Sequence, residues 1–172
     1  MTFFLASEPR YRAAIGRLLA SGDAELVAGG PSWEPGEAAT YFNSVFLVTA
    51  RGEIGGRYDK EYLVPFSEYF PLPQVDLLRR RFGRVRVFQH GTRIQPLEAR
   101  LGPAGILVCN EAMLPEVAAR RVRAGASFLV NPSNDDWIAD PGFAAKMFEM
   151  VSLRAVEQRR YLEPIRKPFD VI

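Results

Sequence analysis

The chain has 172 residues, of which 48% are hydrophobic and 24% are charged, as expected for a single soluble globular domain. Its net charge of +2 is too small to predict a nucleic-acid partner, and its one cysteine and one histidine exclude a disulfide framework and a zinc-type ligand cluster. No apolar run approaches the roughly 20 residues that span a membrane, and the opening residues lack the basic start of a signal peptide. We therefore expect neither element in this chain.

The first third of the sequence predicts one helix followed by three strands. Apolar residues at helical spacing predict a helix from Glu8 to about Ser21. Ala24–Gly30 is typical of a short strand stopped by glycines, and the turn-forming residues of Pro31–Glu37 predict a loop. Tyr41–Ala50 and Glu53–Tyr58 are rich in β-branched and aromatic residues, and together they predict an antiparallel hairpin.

The middle of the chain is predicted to be mostly irregular. Prolines interrupt Arg57–Pro73, and its many aromatic residues indicate an ordered loop of the kind that carries binding sites. Gln74–Phe82 predicts a short helix or turn, and Arg84–Gln89 alternates as a half-buried strand does. Gly91–Pro103 is rich in turn residues and separates this strand from the one predicted before the cysteine.

The only cysteine lies where a buried strand is predicted to meet a helix. The apolar run Ile106–Val108 predicts the strand, and Glu111–Ala124 has the apolar face of an amphipathic helix. The sulfur of Cys109, between them, can therefore face the positive end of the helix, where anions are favoured. This makes Cys109 a candidate nucleophile, although a lone cysteine can equally be an ordinary buried apolar side chain.

The last third continues the alternation of strands and helices. Ser127–Pro132 predicts a strand, and a helix is expected from Gly142 to about Tyr161. The order of elements predicts an α/β fold with a sheet covered by helices. Tyr161–Ile172 contains two prolines and shows no strand pattern.

Three motifs, in order and spacing, resemble the nitrilase superfamily of carbon-nitrogen hydrolases. They are Tyr58-Asp-Lys-Glu-Tyr-Leu-Val-Pro-Phe-Ser-Glu68, Val108-Cys-Asn-Glu111 and Asn131-Pro-Ser-Asn-Asp-Asp-Trp137. The first and third look specifically like the catalytic domain of apolipoprotein N-acyltransferases, and the resemblance covers about Phe4 to Tyr161. It implies an α-β-β-α sandwich, incomplete at both ends, that forms one partial domain over residues 1–172 with a divergent tail at 162–172.

The resemblance also assigns roles to individual side chains. Cys109 matches the nucleophile that takes an acyl group as a thioester, and Lys60 matches the lysine that stabilises the thiolate and the oxyanion. Glu68 matches an auxiliary glutamate, and Glu111 one that orients the nucleophile. Taken singly, each charged residue is ordinarily a solvated side chain, so only their joint occurrence around the cysteine points to a site.

Two further pairs of residues match the family. Trp137 and Tyr69 are expected to contact the substrate, with Trp137 in the pocket wall. Arg154 and Glu157, three residues apart on the last predicted helix, match a pair with a structural role.

The resemblance implies a reaction that needs neither cofactor nor metal. An acyl chain moves from a phospholipid to the N-terminal amine of a diacylated lipoprotein, at the bacterial inner membrane with the catalytic domain on the periplasmic side. The family's base glutamate precedes a position near Phe3, so we expect this chain to lack it. Two alternatives remain open: an inactive truncated remnant, and a small soluble amidase that takes its glutamate from another chain. The oligomeric state is left open too.

Several structural and chemical expectations follow from the proposed roles. Lys60, Glu68, Cys109 and Glu111 should converge on one pocket at the carboxyl end of the Ile106 strand, with the lysine nitrogen near the sulfur. The thiol should alkylate quickly while acyl transfer stays weak, because a base is missing. Unpaired sheet edges and an exposed apolar face should make the isolated chain poorly soluble or marginally stable.

Overall fold

The computed structural model describes residues 5–22, 24–36, 40–71, 87–134 and 141–165. Their helices are α1 (Pro9–Ala20), α2 (Pro115–Arg123) and α3 (Pro141–Gln158), with short 3-10 helices at Leu5–Ser7 and Cys109–Met113. Their strands are β1 (Leu26–Glu34), β2 (Thr40–Val48), β3 (Ile54–Asp59), β4 (Leu97–Ala99), β5 (Gly102–Ile106), β6 (Phe128–Pro132) and β7 (Leu162–Ile165). The predicted first and last helices are confirmed.

The first sheet is antiparallel, in the order β1-β2-β3. The predicted hairpin of β2 and β3 is confirmed, with Ser44 opposite Asp59 and Val48 opposite Ile54. The loop predicted at Pro31–Glu37 is wrong in its first half, because β1 stays paired with β2 as far as Glu34. Pro31 is tolerated there since β1 lies at the edge of the described sheet, where a missing N–H leaves no partner unsatisfied.

The second sheet has the order β4-β5-β6-β7, with β4 antiparallel to β5 and the remaining pairs parallel. The turn-rich segment Gly91–Pro103 contains β4 and the start of β5, which the sequence pattern did not predict. The expectation of no strand after Tyr161 is wrong, because β7 pairs with β6 over four residues. Both strands are short and contain or adjoin turn residues, so pairing with a neighbour, and not local pattern, decides their conformation.

The two sheets pack face to face, and helices cover their outer faces. Alternation along β2 sends Val45 and Leu47 into the core between the sheets, while Phe46 and Val48 pack on the other side with Leu19 of α1. The core between the sheets also contains Tyr58, Leu97, Ala104, Ile106, Val130 and Ile165. On the far side of the second sheet, Leu107 and Leu129 pack with Val117 of α2 and with Met147 and Val151 of α3. The predicted α-β-β-α sandwich is confirmed.

Some predictions fall outside the described residues. The helix or turn at Gln74–Phe82 and the pocket residue Trp137 lie there. Of the strand predicted at Arg84–Gln89, residues 87–89 are described, and Phe88 forms an isolated parallel bridge with Tyr41. Among the described helices, none combines the length and apolar character that crossing a membrane requires.

Candidate active site

The residues that follow three strands line one cavity of about 350 Å³. Lys60 follows β3, Cys109 lies three residues after β5, and Ser133 follows β6. Glu68 joins them from the loop after Lys60, and it is the one carboxylate among the described lining residues. The rest of the described lining is mostly apolar: Val27, Pro31, Val45, Val64, Phe88, Val108, Pro132 and Ile165. The structure thus brings together three of the four residues that were expected to converge.

Lys60 is held rigidly at the end of β3. Its backbone N–H donates to the carbonyl of Asn43 at 2.8 Å, and its carbonyl accepts from the N–H of Gly91 at 2.8 Å. Its side chain is only 1% exposed, and its Nζ donates to Glu68 at 2.6 Å. A buried ammonium needs such a carboxylate, because removing one partner of a buried ion pair typically destabilises a protein by about 3 to 5 kcal/mol.

Glu68 accepts three hydrogen bonds from three different segments. Its Oε2 accepts from the Nζ of Lys60 at 2.6 Å and from the N–H of Val64 at 2.7 Å. Its Oε1 accepts from the Nδ2 of Asn43 on β2 at 2.5 Å. Within the same loop, Phe66 adopts a left-handed conformation with φ of 64°, and its N–H donates to the carbonyl of Tyr69. These hydrogen bonds order the proline-containing loop, as predicted, and the loop carries Glu68, which lines the cavity.

Cys109 is half-buried and adopts φ of 51°, in the region that favours glycine. A non-glycine residue held there costs about 1 to 3 kcal/mol and persists only where neighbouring contacts impose it. Such contacts come from Asn131 on β6, whose Nδ2 donates to the carbonyl of Cys109 at 3.2 Å and to that of Leu107. The sequence gives Asn131 only as part of a motif, and its contacts with the backbone of the Cys109 turn are seen only in the structure.

The helix predicted directly after Cys109 is wrong in its first turn. Cys109–Met113 is a short 3-10 helix, Leu114 is extended, and α2 begins only at Pro115. A proline disfavours helical conformation in the residue before it, which explains the break at Leu114. The α-helix N-terminus is therefore not next to the sulfur. Lys60 is the one basic residue among the described residues that line the same cavity.

Glu111 is fully buried and does not line the cavity, contrary to the expectation. Its carboxylate accepts from the N–H of Val108 at 2.7 Å, from Glu61 at 2.8 Å and from Tyr62 at 3.0 Å. It also accepts from the hydroxyl of Tyr58 at 2.9 Å. The carboxylate thus joins the backbone just after Lys60 and the side chain of Tyr58, two residues before Lys60, to the backbone just before Cys109.

Two ionisable groups in this buried region have shifted pKa values. Burial raises the pKa of Glu111, although the hydrogen bonds from Tyr62, Val108, Tyr58 and Glu61 oppose the shift. Burial, and then the charge of Glu111, raise the pKa of Tyr58, which remains a neutral hydroxyl that can donate to the carboxylate.

Sequence reasoning missed the arginines that complete this buried network. Arg121 of α2 is 1% exposed and donates to the carbonyl of Ile106, to the hydroxyl of Tyr58 and to Glu61. Arg120 beside it forms a two-pronged ion pair with Glu61 at 2.9 and 3.1 Å. In sequence, both belong to a basic stretch at the end of a helix, which is ordinarily a solvated face.

Tyr69 and Trp137 were the residues predicted to contact substrate. Tyr69 is half-buried and packs edge-on against the ring of His90, with 5.3 Å between centroids, and it is not among the described residues lining the cavity. His90 in turn contacts the carbonyl of Glu61 through Nδ1 at 2.7 Å. Trp137 lies outside the described residues, so its predicted role stays a prediction. No group of three or more potential metal ligands occurs among the residues described.

A model of the carbon-nitrogen hydrolase family matches residues 10–165, which include every element that lines the cavity. The chain belongs to the carbon-nitrogen hydrolase family. Among curated relatives, the apolipoprotein N-acyltransferase of Geobacter metallireducens is 37% identical over 159 residues, covering 91% of this chain and 30% of that protein. The apolipoprotein N-acyltransferase of Brucella suis is 34% identical over 166 residues, with the same two coverages of 91% and 30%. The chain therefore spans about 30% of the length of the curated relatives it matches.

Solved structures of carbon-nitrogen hydrolases share the fold. The NitFhit protein of C. elegans superposes with a TM-score of 0.69 at 21% identity, over 94% of this chain and 37% of that chain. The carbon-nitrogen hydrolase from Helicobacter pylori G27 superposes with a TM-score of 0.68 at 19% identity, over 90% of this chain and 50% of that one. At these identities the likeness shows the carbon-nitrogen hydrolase fold alone.

Proposed function

We propose that this part of the carbon-nitrogen hydrolase fold carries out acyl transfer through a thioester on Cys109. The observation that carries the proposal is a single cavity lined both by the cysteine of a strained turn and by the buried Lys60. An ammonium group in a cavity shielded from water stabilises a thiolate and the oxyanion of a tetrahedral intermediate far better than it does in bulk water.

The two glutamates support these groups in different ways. Glu68 accepts a hydrogen bond from the Lys60 ammonium at 2.6 Å, and two further hydrogen bonds from Val64 and Asn43 fix its carboxylate. Glu111 orients the turn, because it accepts the N–H of Val108, the residue before the nucleophile. We assign Glu68 to holding the lysine and Glu111 to holding the cysteine.

The reaction proposed for the whole enzyme has two balanced steps. The Cys109 sulfur attacks the ester carbonyl of a phospholipid, the carbon–sulfur bond forms, and the ester carbon–oxygen bond breaks, with the released oxygen taking the thiol proton. The N-terminal amine of a diacylated lipoprotein then attacks the thioester, an amide bond forms, and the thiol is regenerated with a proton from the amine. A general base contributes about 10² to 10⁴ in rate to such steps. Among the described residues that line the cavity, Glu68 is the one carboxylate and it already holds Lys60, so we expect acylation with little turnover.

The name that the relatives share, apolipoprotein N-acyltransferase, supports acyl transfer to a lipoprotein acceptor, and the phospholipid donor is part of the proposal. The largely apolar cavity lining suits an acyl chain, and Phe66 exposes 64% of its surface next to Ser67 of that lining. A bacterial inner-membrane location with the site on the periplasmic side is part of the same proposal.

The test uses an activated ester, which reports acylation of Cys109 without requiring a strong base. The chain is mixed with p-nitrophenyl octanoate, and the expected result is a burst of nitrophenolate stoichiometric with protein and an octanoyl adduct on Cys109 in the mass spectrum. Lys60→Met should slow the burst about 10²- to 10³-fold, as does loss of an oxyanion-stabilising donor. Lys146→Met, which removes the same charge from an exposed position on α3, is the matched control and should leave the burst unchanged.

Different outcomes separate the alternatives. A burst that survives Cys109→Ala, or that is indifferent to Lys60→Met, contradicts the proposal. Absence of any burst from the folded chain favours an inactive remnant. Rapid multiple turnover of a short amide, lost in Cys109→Ala, favours the soluble amidase. Iodoacetamide alkylation faster than that of a model thiol, with little acyl transfer from phospholipid to a lipopeptide amine, is the outcome that we expect.

A further inference from the structure

We propose that Arg121 is a positioning residue that fixes the Lys60 segment against the Cys109 turn. The proposal rests on the function proposed above, and it concerns a side chain outside the cavity. Its guanidinium contacts both the end of the strand that precedes Cys109 and residues on both sides of Lys60.

The contacts of Arg121 lie on both sides of Lys60 in sequence and shortly before Cys109. Its Nε donates to the carbonyl of Ile106 at 3.1 Å, where β5 ends three residues before Cys109. Its Nη2 donates to the hydroxyl of Tyr58, two residues before Lys60. The same Nη2 lies 3.2 Å from the Glu61 carboxylate, one residue after Lys60, and its Cζ lies 4.9 Å from the Tyr58 ring centroid.

Arg121 and Glu111, two side chains of opposite charge, each link the segment around Lys60 to the segment before Cys109. We call each set of linking hydrogen bonds a brace. The carboxylate accepts backbone N–H groups from Glu61 and Val108, while the guanidinium donates to Ile106 and Glu61. The Tyr58 hydroxyl joins the two braces, because it accepts from Arg121 and donates to Glu111. Two connected braces resist rotation as well as separation, which one alone does not.

Stability alone does not explain a buried arginine at this position. Replacing a buried ion pair by apolar side chains of similar volume is often neutral or stabilising by about 1 to 4 kcal/mol, because desolvation offsets the Coulomb attraction. Charge balance does not explain it either, since Arg120 already pairs with Glu61 in two-pronged geometry and is more exposed. What Arg121 adds is the contact with Ile106 and Tyr58. That contact sets the relative position of the strand ends.

The test is a double-mutant cycle between Arg121→Met and Lys60→Met, read out by the rate of Cys109 alkylation with iodoacetamide from pH 6 to about 9 and by the nitrophenolate burst. A displacement of about 1 Å between reacting groups can cost 10²-fold, so we expect Arg121→Met to slow both rates about 10- to 100-fold. In the Lys60→Met background, Arg121→Met should have no further effect, because it acts through the lysine.

Arg154→Met is the matched control. Arg154 is a second buried arginine, 6% exposed, and it pairs with Glu157 on α3 at 2.7 Å, away from the cavity lining. Its loss should lower the unfolding midpoint in urea without changing either rate. If Arg121→Met does not fold, Arg121→Lys and Glu61→Gln each remove part of the brace, and each should give a smaller loss of the same Lys60-dependent rate.

The outcomes distinguish this inference from the function on which it rests. If Lys60→Met alone changes neither alkylation nor the burst, the proposed function fails. If Lys60→Met slows both, but Arg121→Met leaves them unchanged or slows them equally in both backgrounds, the function stands and the positioning role is overturned. Rates that fall together with stability in Arg154→Met as well would also overturn it.

Discussion

At the scale of single residues, the buried carboxylate of Glu111 is the group whose ionisation should be visible in the stability of the whole chain. It is fully buried, and burial raises its pKa above the ordinary value of 4.5. Four hydrogen bonds oppose that shift without removing it. The folded chain therefore holds this proton more tightly than the unfolded chain does.

We expect the free energy of unfolding of the unaltered chain to fall, relative to Glu111→Gln, as the pH rises from 4.5 through the raised pKa of Glu111. In that window the unfolded carboxyl is ionised while the folded one is protonated, so each pH unit costs at most about 1.4 kcal/mol. Urea unfolding at a series of pH values measures this.

The Gln variant should also be less stable at every pH. In the unaltered chain both carboxylate oxygens accept hydrogen bonds from backbone N–H groups, whereas the amide nitrogen of glutamine would face such an N–H as a second donor. The lost hydrogen bond should cost about 1 to 3 kcal/mol. Stability profiles of the two proteins that run parallel across the window would contradict the assignment of the titration to Glu111. Glu149→Gln, on the exposed surface of α3, serves as the control.

At the level of elements, the site depends on the close contact between the backbone of Gly91 and the backbone at the end of β3. A Cβ added to Gly91 would lie 1.9 Å from the carbonyl oxygen of Asp59, far inside contact distance. The N–H of Gly91 also donates to the carbonyl of Lys60 at 2.8 Å. Only a residue without a side chain lets the two backbones come this close. The position of Lys60 therefore depends on Gly91, which is 31 residues later in the sequence.

We expect Gly91→Ala to push the two backbones apart, break the hydrogen bond to Lys60 and lower both the stability and the nitrophenolate burst. The free energy of unfolding should fall by about 1 to 3 kcal/mol, as for an overpacked interior site. Gly22→Ala, which meets no atom within 4 Å, is the matched control and should change neither property. An unchanged burst in Gly91→Ala would show that this segment does not position the lysine.

At the scale of the whole molecule, α3 leaves apolar side chains on the surface. Leu153 is 54% and Val156 74% exposed, three residues apart on one side of the helix, with Phe148 49% exposed nearby in sequence. Apolar side chains grouped in this way favour association between molecules, whereas a single exposed leucine is ordinary.

We expect the chain to self-associate as its concentration rises, and the double variant Leu153→Lys, Val156→Lys to stay monomeric over the same range. Sedimentation velocity measures both. Leu101→Lys is the control, since Leu101 is 76% exposed but lies in the turn between β4 and β5. A monodisperse unaltered chain, or equal behaviour of the Leu101 variant, would contradict the role of α3.

Local sequence pattern is enough to predict the elements whose side-chain periodicity is strong, namely the hairpin of β2 and β3, the strand β6 and the helices α1 and α3. The motifs alone point to Lys60, Glu68 and Cys109, which line one cavity in the structure. The short strands β4 and β7 depend on tertiary contacts, because strands of three and four residues have too few side chains to show a period and form by pairing with a neighbour. The contacts of Asn131 and Arg121 depend on the fold as well, since an asparagine within a strand and an arginine in a basic helix end reach the carbonyls of Cys109 and Ile106 only when the fold brings them within hydrogen-bond distance.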